Sequence, residues 1–297
     1  MVLWFGWVCP ESYRSTRQFL LFVLITEGPG ESPALLFFPF PPDSARRKLH
    51  NVGVSETLVI NEIYLSVQGE STRAGLPCVF VRLTACNLRC SYCDTAYAFT
   101  EGRAMALPEI LARVEALAKP FASRSAAGRL PLVELTGGEP LWQKNSLPLM
   151  RALCDAGFSV LLETSGALDI APVDPRVRRI MDLKAPSSGE SGRNRWENLA
   201  LMKDSDEIKF VIGTRQDYEW AKEILLTRDL AGICPVLFSW VSPLLPHQAD
   251  KSLRRAPAGQ VPMSRRALVE AIIADALPVR FQLQLHKFIW PPDQKGV

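Results

Sequence analysis

Segments with the spacing of strands and helices alternate along most of the sequence, and this alternation restricts the fold more than any other feature. The predicted strands are 58–67, 78–84, 132–136, 159–164, 179–183, 207–212, 233–238 and 279–285. The predicted helices are 107–118, 146–156, 216–226 and 265–276. Repeated β–α units indicate a parallel sheet with right-handed connections. The pattern leaves open whether the sheet closes into a barrel.

Two stretches depart from this alternation. Residues 1–55 show no strand or helix period and carry five prolines between positions 29 and 42. We expect a poorly ordered extension there, or an upstream stretch translated from a wrongly chosen start, with Val52 or Val54 the native first residue. Residues 56–297 are then one domain. Within it, residues 244–264 exceed a normal β–α loop, so we expect an insertion that either forms a lid or hangs outside.

The composition argues against several classes of protein. A formal net charge of +3 over 297 residues gives no electrostatic reason to expect nucleic-acid or membrane-surface binding. The longest apolar run, residues 19–25, is far shorter than the roughly 20 residues that a membrane-spanning helix needs. It also lacks the small-residue cleavage site of a secretory signal. We therefore expect a cytoplasmic protein with no membrane partner and no direct nucleic-acid partner.

Three of the seven cysteines, Cys86, Cys90 and Cys93, lie close together directly after a predicted strand. Clustered cysteines in odd number favour reduced metal ligands over a disulfide framework. Thiolates bind both iron–sulfur clusters and structural zinc. Because a closed zinc site needs four protein ligands, three cysteines favour a cluster with one open metal corner. A zinc site completed by Cys78 or Asp94 is the alternative.

A second motif follows the strand predicted at 132–136, where Thr136 leads into Gly137, Gly138 and Glu139. Glycines at the end of a strand let the backbone approach a ligand closely, and a glutamate there can accept hydrogen bonds from an ammonium group. Ligands of parallel sheets and barrels collect at this end of the strands. The motif therefore predicts a ligand site beside the cysteines.

Together, the cysteine motif and Thr-Gly-Gly-Glu-Pro resemble the radical S-adenosylmethionine (SAM) superfamily. The resemblance implies an α/β fold, an incomplete TIM-like barrel of parallel strands, with the site at the strands' C-terminal ends. It implies a [4Fe-4S] cluster on Cys86, Cys90 and Cys93, with SAM chelated by the fourth iron. Reductive cleavage of SAM would release a 5′-deoxyadenosyl radical, while the protein orients the cofactors and excludes water.

Further motifs lie at 61–70, 163–166, 182–186, 207–212, 281–287 and 290–297. With the first two motifs they resemble the 7-carboxy-7-deazaguanine synthase family of queuosine biosynthesis, which belongs to a tRNA modification pathway. The resemblance implies ring contraction of 6-carboxy-5,6,7,8-tetrahydropterin to 7-carboxy-7-deazaguanine with loss of ammonia and with SAM regenerated. It further implies a lyase that is a homodimer and that takes electrons from a donor such as flavodoxin or ferredoxin.

The resemblance also implies roles for matching residues. Thr95 would offer a hydroxyl to Mg²⁺, an ion that keeps several of its waters. The residues implied around SAM are Tyr92, Asp94, Gly138, Glu139, Glu163, Ser165, Asp182 and Lys184. The residues implied around the substrate are Val67, Gln68, Gly69, Arg82, Thr136 and His286. Two positions depart mildly from the family pattern, since Val67 replaces the usual leucine and Ser165 the usual asparagine.

Strand periodicity supports part of this assignment. One face of the first strand carries Glu62, Tyr64, Ser66 and Gln68, and one face of the last carries Gln282, Gln284 and His286. Because strands of parallel sheets are usually apolar on both faces, such rows favour a polar ligand, with a solvent-facing rim strand as the alternative. Arg82 stands in an apolar strand and needs a carboxylate, which we expect to come from the substrate.

Two other functions stay open on the sequence alone. A glycyl-radical activase shares the cysteine spacing but acts on a protein and consumes SAM. The segments 67–70 and 282–286 argue against it. A non-enzymatic metal-binding module predicts bound zinc and no cleavage of SAM.

Overall fold

The computed structural model describes residues 56–121 and 130–297, together with four short strands at 20–25, 34–39, 124–125 and 128–129. The chain divides into two units, with the boundary between Ser55 and Glu56. In the first unit, β1 (Leu20–Ile25) and β2 (Ala34–Pro39) pair antiparallel. The expectation of a poorly ordered or wrongly assigned extension otherwise falls outside the described residues.

A nine-stranded sheet forms the second unit, in the order β13-β12-β11-β10-β9-β8-β4-β3-β5. Its strands are β3 (Thr57–Val67), β4 (Pro77–Leu83), β5 (Arg103–Ala106), β8 (Leu132–Gly137), β9 (Val160–Thr164), β10 (Arg178–Asp182), β11 (Glu207–Ile212), β12 (Val236–Trp240) and β13 (Arg280–Gln282). A separate hairpin joins β6 (Arg124–Ser125) to β7 (Gly128–Arg129). Strand β4 and strands β8 to β13 are parallel, whereas β3 pairs antiparallel with β4 and β5. The predicted, mostly parallel α/β sheet is therefore confirmed.

Six α-helices accompany the described strands. They are α1 (Leu107–Ala118), α2 (Ser146–Asp155), α3 (Arg215–Thr227), α4 (Leu230–Ile233), α5 (Arg265–Ala274) and α6 (His286–Ile289). Four of them, α1, α2, α3 and α5, lie within two residues of the predicted bounds. Helix α2 ends in a Schellman motif, in which Gly157 has a φ of 84° and its N–H donates to the Cys154 carbonyl at 2.9 Å. Helix α3 begins with a capping box between Thr214 and Asp217.

The two faces of the sheet differ in character. Alternate residues of the strands pack outward against the helices, as Val79 and Val81 of β4 do in the main core. The residues between them face inward. At the N-terminal ends of the strands these inward residues are apolar, and they form a second core of Cys78, Phe80, Leu132, Leu161 and Ile180. Two residues further along, the same face becomes polar at Arg82, Glu134, Glu163 and Asp182. The inner face of the sheet is therefore apolar at the N-terminal ends of the strands. It is polar further along, at Arg82, Glu134, Glu163 and Asp182, which we call the inner rim.

The sheet curls, so that the segment after β3 lies against the far edge strands. The Ser71 N–H donates to Gln282 Oε1 of β13 at 3.0 Å, and Gln282 Nε2 donates back to the Ser71 carbonyl at 2.6 Å. The Thr72 hydroxyl donates to Glu207 Oε1 of β11 at 2.5 Å. Since β3 and β13 are far apart in strand order but adjacent in space, the sheet forms the predicted incomplete barrel.

The last predicted strand, 279–285, is wrong in extent. Strand β13 covers only Arg280–Gln282, and His286 begins the short helix α6. The chain leaves the sheet after Gln282 because its next backbone partner is the loop after β3, residues 68–76, which we call the β3 loop. The Leu285 N–H donates to the carbonyl of Gly69 in this loop at 3.0 Å. Gln284 and His286 therefore do not share a strand face with Gln282.

Candidate active site

A cavity of about 680 Å³ lies at the C-terminal ends of the strands. Its size falls within the roughly 300–1,000 Å³ typical of small-molecule sites. Among its lining residues are the predicted positions Val67, Gln68, Gly69, Arg82, Cys86, Cys90, Tyr92, Cys93, Asp94, Thr95, Thr136, Gly138, Glu163, Ser165, Asp182, Lys184 and His286. The cysteine motif and the substrate-side residues, which the sequence separates widely, thus face one common space.

The three motif cysteines are neutral thiols in the metal-free protein. Burial raises the pKa of Cys86 and Cys93, and it raises the pKa of Cys90 to about 12. Metal binding must therefore displace their protons. In the described part of the chain, no three His, Cys, Asp or Glu side chains converge to hold a single metal ion. A cubic cluster does not require such convergence, because each thiolate binds a different iron.

Two buried polar atoms in the cavity wall lack partners among the described residues: the Tyr92 hydroxyl and Asp182 Oδ1. The other Asp182 oxygen accepts a 2.6 Å hydrogen bond from Lys184 Nζ. Buried polar groups are nearly always satisfied, so an unpaired hydroxyl and an unpaired carboxylate oxygen on two residues that line one cavity favour a bound polar ligand there. The residues present fit a zwitterionic cofactor such as SAM beside the cysteine loop.

Glu139 is the one predicted site residue that does not line the cavity. Its fully buried carboxylate accepts hydrogen bonds from the Leu141 N–H at 3.0 Å, the Thr164 hydroxyl at 2.9 Å, and the Ser165 N–H and hydroxyl at 2.8 and 2.6 Å. With these donors engaged, Glu139 ties the loop after β8 to the end of β9. Its predicted contact with an ammonium group stays a prediction, whereas its hold on Ser165 is direct.

Gly137 and Gly138 are required by the cysteine segment. A Cβ at Gly138 would overlap the carbonyl oxygen of Ala85 and lie 2.9 Å from the Cβ of Cys86. A Cβ at Gly137, whose φ is 132°, would lie 2.5 Å from the Leu83 nitrogen. The sequence predicted that these glycines let backbone approach a ligand. The backbone that approaches them is the chain leading into Cys86.

Arg82 has a partner within the protein, contrary to the expectation that the substrate supplies its carboxylate. Its Nε donates to Glu62 Oε1 at 2.7 Å, and its Nη2 donates to the Tyr64 hydroxyl at 3.0 Å. The Tyr97 hydroxyl also donates to Glu62, at 3.0 Å. Arg82 nonetheless lines the cavity, and only one edge of its guanidinium is used by Glu62.

Three ionisable residues that were absent from the predicted site, Glu70, Glu134 and Lys209, line the cavity at the inner rim. Lys209 pairs with Glu163 and lies 3.6 Å from Glu70, while Gln68 donates to Glu134. Burial raises the pKa of Glu134 well above its usual range, and burial raises the pKa of Glu163 to about 7 against the opposing charge of Lys209. The sequence feature that could have identified Glu134 and Lys209 is that each is a charged residue between two apolar residues inside a strand.

Lys287 is the fourth, on the far side of the cavity, where it pairs with Asp94. Gln284 Nε2 donates to the same Asp94 oxygen at 3.2 Å. Burial would raise the pKa of Asp94, but the Lys287 charge and these hydrogen bonds lower it to about 2. Asp94, predicted to bind a cofactor, therefore anchors Gln284 and the first turn of α6 next to the third cysteine.

His286 packs directly on the β3 loop. A Cβ at Gly69 would lie only 2.5 Å from His286 Nδ1, so Gly69 leaves the space that the imidazole occupies. Burial lowers the pKa of His286 below its usual value, which favours the neutral ring. Thr95, the predicted Mg²⁺ ligand, has its hydroxyl 3.7 Å from Cys93 Sγ on the same wall.

Residues of the insertion and of the C-terminal segment line the mouth of the cavity. His247 Nε2 lies 2.9 Å from Asp293 Oδ2, which joins the two segments. Lys295 Nζ lies 3.0 Å from Glu101 Oε2 and 4.1 Å from the centre of the Tyr97 ring. Residues 247–250 of the insertion thus line the cavity.

Comparisons with known proteins identify the family. The family model of the Radical SAM superfamily matches residues 81–253. A protein of Koribacter versatilis named 7-carboxy-7-deazaguanine synthase is 45% identical over 240 residues, which cover 80% of this chain and 99% of that protein. A protein of Chlorobaculum tepidum with the same name is 43% identical over 243 residues, covering 81% and 97%.

The chain belongs to the 7-carboxy-7-deazaguanine synthase family. Its fold also matches the crystal structure of QueE from Escherichia coli, with a TM-score of 0.56 and 23% identity over 77% of this chain and 95% of that one. Membership of the synthase family makes the protein a radical SAM enzyme with a [4Fe-4S] cluster and SAM as cofactors. It disfavours the activase and metal-module alternatives. Among the described helices, none is long and apolar enough to cross a membrane.

Proposed function

We propose that the protein converts 6-carboxy-5,6,7,8-tetrahydropterin to 7-carboxy-7-deazaguanine and ammonia in queuosine biosynthesis. One observation carries the proposal. The three cysteines and the polar inner rim at Arg82, Gln68 and Glu163 open into the same cavity. A radical generated at the cysteine loop would therefore be formed beside a polar pocket suited to a pterin carboxylate.

Each wall of the cavity would have its own task. Cys86, Cys90 and Cys93 would hold the cluster. When bound, the cluster and SAM supply a 5′-deoxyadenosyl radical for hydrogen-atom abstraction. Tyr92, Ser165, Asp182 and Lys184, with Gly138 and Glu163, would orient SAM. Glu139 would hold Ser165 from outside the cavity, and Asp94, which lines the cavity, would hold Lys287.

On the opposite wall, Val67, Gln68, Gly69, Thr136 and His286 would contact the pterin, while Arg82 would meet its carboxylate. Thr95 would offer its hydroxyl to Mg²⁺, with waters and the substrate completing the coordination. With SAM and the pterin bound, these walls would keep bulk water from the space between them and so protect a reactive radical from side reactions.

An anaerobic assay tests this function. Protein reconstituted with iron and sulfide would receive SAM, Mg²⁺, a reductant and carboxytetrahydropterin, and 7-carboxy-7-deazaguanine should appear. Cys90→Ala should abolish the product, whereas the control Cys154→Ala, outside the cavity, should retain it. Deoxyadenosine without this product would keep the superfamily chemistry and discard the substrate. Neither product from cluster-loaded protein would overturn the proposal.

We further propose that an acidic one-electron carrier such as flavodoxin or ferredoxin reduces the cluster. The support is two exposed cations, Arg193 and Lys251, each three residues from a residue, Glu190 or Arg254, that hydrogen-bonds to the cysteine loop. Complementary charge steers protein association. Replacing these residues by glutamate should slow reduction by flavodoxin but leave reduction by dithionite unchanged. Equal rates with flavodoxin would contradict the assignment.

A homodimer in the cytoplasm is the remaining part of the proposal. Phe288 and Ile289 are more than half exposed on α6, beside the short edge strand β13, which supports an apolar contact with a second copy. Light scattering should give twice the chain mass, and Phe288→Ser should lower the measured mass.

Six free cysteines among the described residues support the cytoplasm as the compartment, because it keeps thiols reduced.

A further inference from the structure

Hydrogen bonds from residues that do not line the cavity hold the cysteine loop. Arg89 lies between Cys86 and Cys90, and both of its backbone polar groups are engaged by distant residues. Its N–H donates to Glu190 Oε1 at 2.8 Å, and its carbonyl accepts from the Arg254 N–H at 2.8 Å. Arg254 Nε also donates to Glu190 Oε1 at 2.8 Å. The three residues thus close a ring of hydrogen bonds.

Residues 187 and 188, which directly precede Gly189 and Glu190, hold Ser91, the other neighbour of Cys90. The Ser91 N–H donates to the Ser188 carbonyl at 3.0 Å, and its hydroxyl donates to the Ser187 carbonyl at 2.6 Å. Cys90 is therefore held through both of its chain neighbours. Ser187 is in turn fixed by Asp217 at the start of α3, through hydrogen bonds of 2.8 and 2.6 Å. Residues 187–190 are therefore connected to the start of helix α3 by hydrogen bonds.

Glu190 is unusual because its side chain is only 4% exposed while that of Arg254 is 55% exposed. A buried carboxylate needs charged or hydrogen-bonded partners, and here they are one insertion side chain and one amide of the cysteine loop. Gly189 has a φ of 73°, and a Cβ there would lie 3.1 Å from Arg254 Cδ. The backbone is therefore shaped to let Arg254 reach Glu190.

We propose that Glu190 and Arg254 are positioning residues that hold the cysteine loop, residues 86–93, in the conformation that binds and retains the cluster. The inference rests on the proposed cluster site. The proposal also assigns a role to the insertion, because Arg254 belongs to the segment 244–264 and supports the cysteine loop. Without this contact, the loop must order itself at the moment of cluster binding, which costs conformational entropy and speeds cluster loss.

The test compares Glu190→Gln and Arg254→Gln with the matched control Arg255→Gln, an exposed neighbour. Cluster-loaded proteins would be exposed to an iron chelator under anaerobic conditions, and the loss of cluster absorbance followed. We expect Glu190→Gln and Arg254→Gln to release iron about tenfold faster or more, because a charged hydrogen bond of a buried group is lost. Arg255→Gln should match the wild type, and Arg254→Lys should recover part of the retention.

A second readout uses the cluster-free protein. Hydrogen exchange of the peptide spanning 86–93 should speed up in both variants, while exchange in strand β11 stays unchanged. The double variant should release iron no faster than Glu190→Gln, since both changes break one contact. If Glu190→Gln does not fold, the half-exposed Arg254 carries the test.

Unchanged iron release and exchange in Arg254→Gln would overturn the proposal, and so would equal acceleration by Arg255→Gln. A protein that loads a cluster but does not convert carboxytetrahydropterin would overturn the proposed function and leave this test valid.

Discussion

Glu62 and Arg82 face each other in register across the antiparallel pair β3–β4, and the Arg82 Nε donates to Glu62 Oε1 at 2.7 Å. Both side chains are mostly buried, at 19% and 12% exposure. Burial by itself would lower the pKa of the guanidinium, but Tyr64, Tyr97 and Glu62 together raise it above its usual value. Glu62 therefore orients Arg82 in the cavity wall, with guanidinium hydrogens left for a ligand.

Arg82→Lys should weaken substrate binding. A lysine ammonium cannot serve Glu62 and a substrate carboxylate with the fixed fork of a guanidinium. The loss of a charged hydrogen bond, about 1.5–3 kcal/mol, corresponds to a KM raised roughly tenfold or more, with a smaller effect on kcat. Steady-state kinetics of reconstituted enzyme measures this. The control is Arg176→Lys in an exposed ion pair, and an unchanged KM in Arg82→Lys would contradict the role.

Gly138→Ala should impair cluster loading, because its Cβ would overlap the Ala85 carbonyl and crowd Cys86. Gly192→Ala is the matched control, since a Cβ at Gly192 meets no atom within 4 Å. We expect the first variant to bind less than half of the wild-type iron after anaerobic reconstitution and to melt several degrees lower. Iron analysis and calorimetry measure both effects. Full loading of Gly138→Ala would show that the segment before Cys86 moves freely.

Glu139→Gln should destabilise the protein even without cofactors. An amide NH₂ in place of one carboxylate oxygen faces donors such as the Ser165 N–H, and an unmatched buried donor costs about 1–3 kcal/mol. Urea unfolding of cluster-free protein should show this loss, and equilibrium binding should show weaker affinity for SAM. The exposed Glu223→Gln is the control and should leave both unchanged. An unaltered free energy of unfolding in Glu139→Gln would exclude the bracing role.

Glu163 should make stability depend on pH near neutrality. Burial raises its pKa in the folded protein to about 7 from 4.5, against the opposing charge of Lys209. The folded state thus holds this proton more tightly than the unfolded state. The contribution of Glu163 is full below about pH 4.5 and is lost as the pH rises through about 7. Urea unfolding across this window should show wild-type stability falling relative to Glu163→Gln, and parallel curves would refute the shifted pKa.

Local sequence rules predicted most elements of the second unit. Strand β11 and helix α1 lie where the periodicity placed them, and Gly157 ends α2 as its lack of a Cβ permits. The prediction for strand β13 was too long because the alternation of polar and apolar residues continues past Gln282. In the structure the backbone after Gln282 pairs with the β3 loop instead of with strand β12. Strand β5 was missed because Arg103–Ala106 is too short to show a period.

The cysteine spacing and the glycine pair determined, from the sequence alone, where the cofactor chemistry would lie, because metal ligation and close backbone approach each need particular residue types. Only the tertiary structure decided which distant charges share the cavity. In the cavity wall Lys209 pairs with Glu163 and Lys287 pairs with Asp94. Outside the cavity Glu139 accepts a hydrogen bond from Ser165, and Glu190 pairs with Arg254. Periodicity states which face a side chain occupies. The curl of the sheet determines what stands opposite it, and burial then determines how strongly the two charges interact.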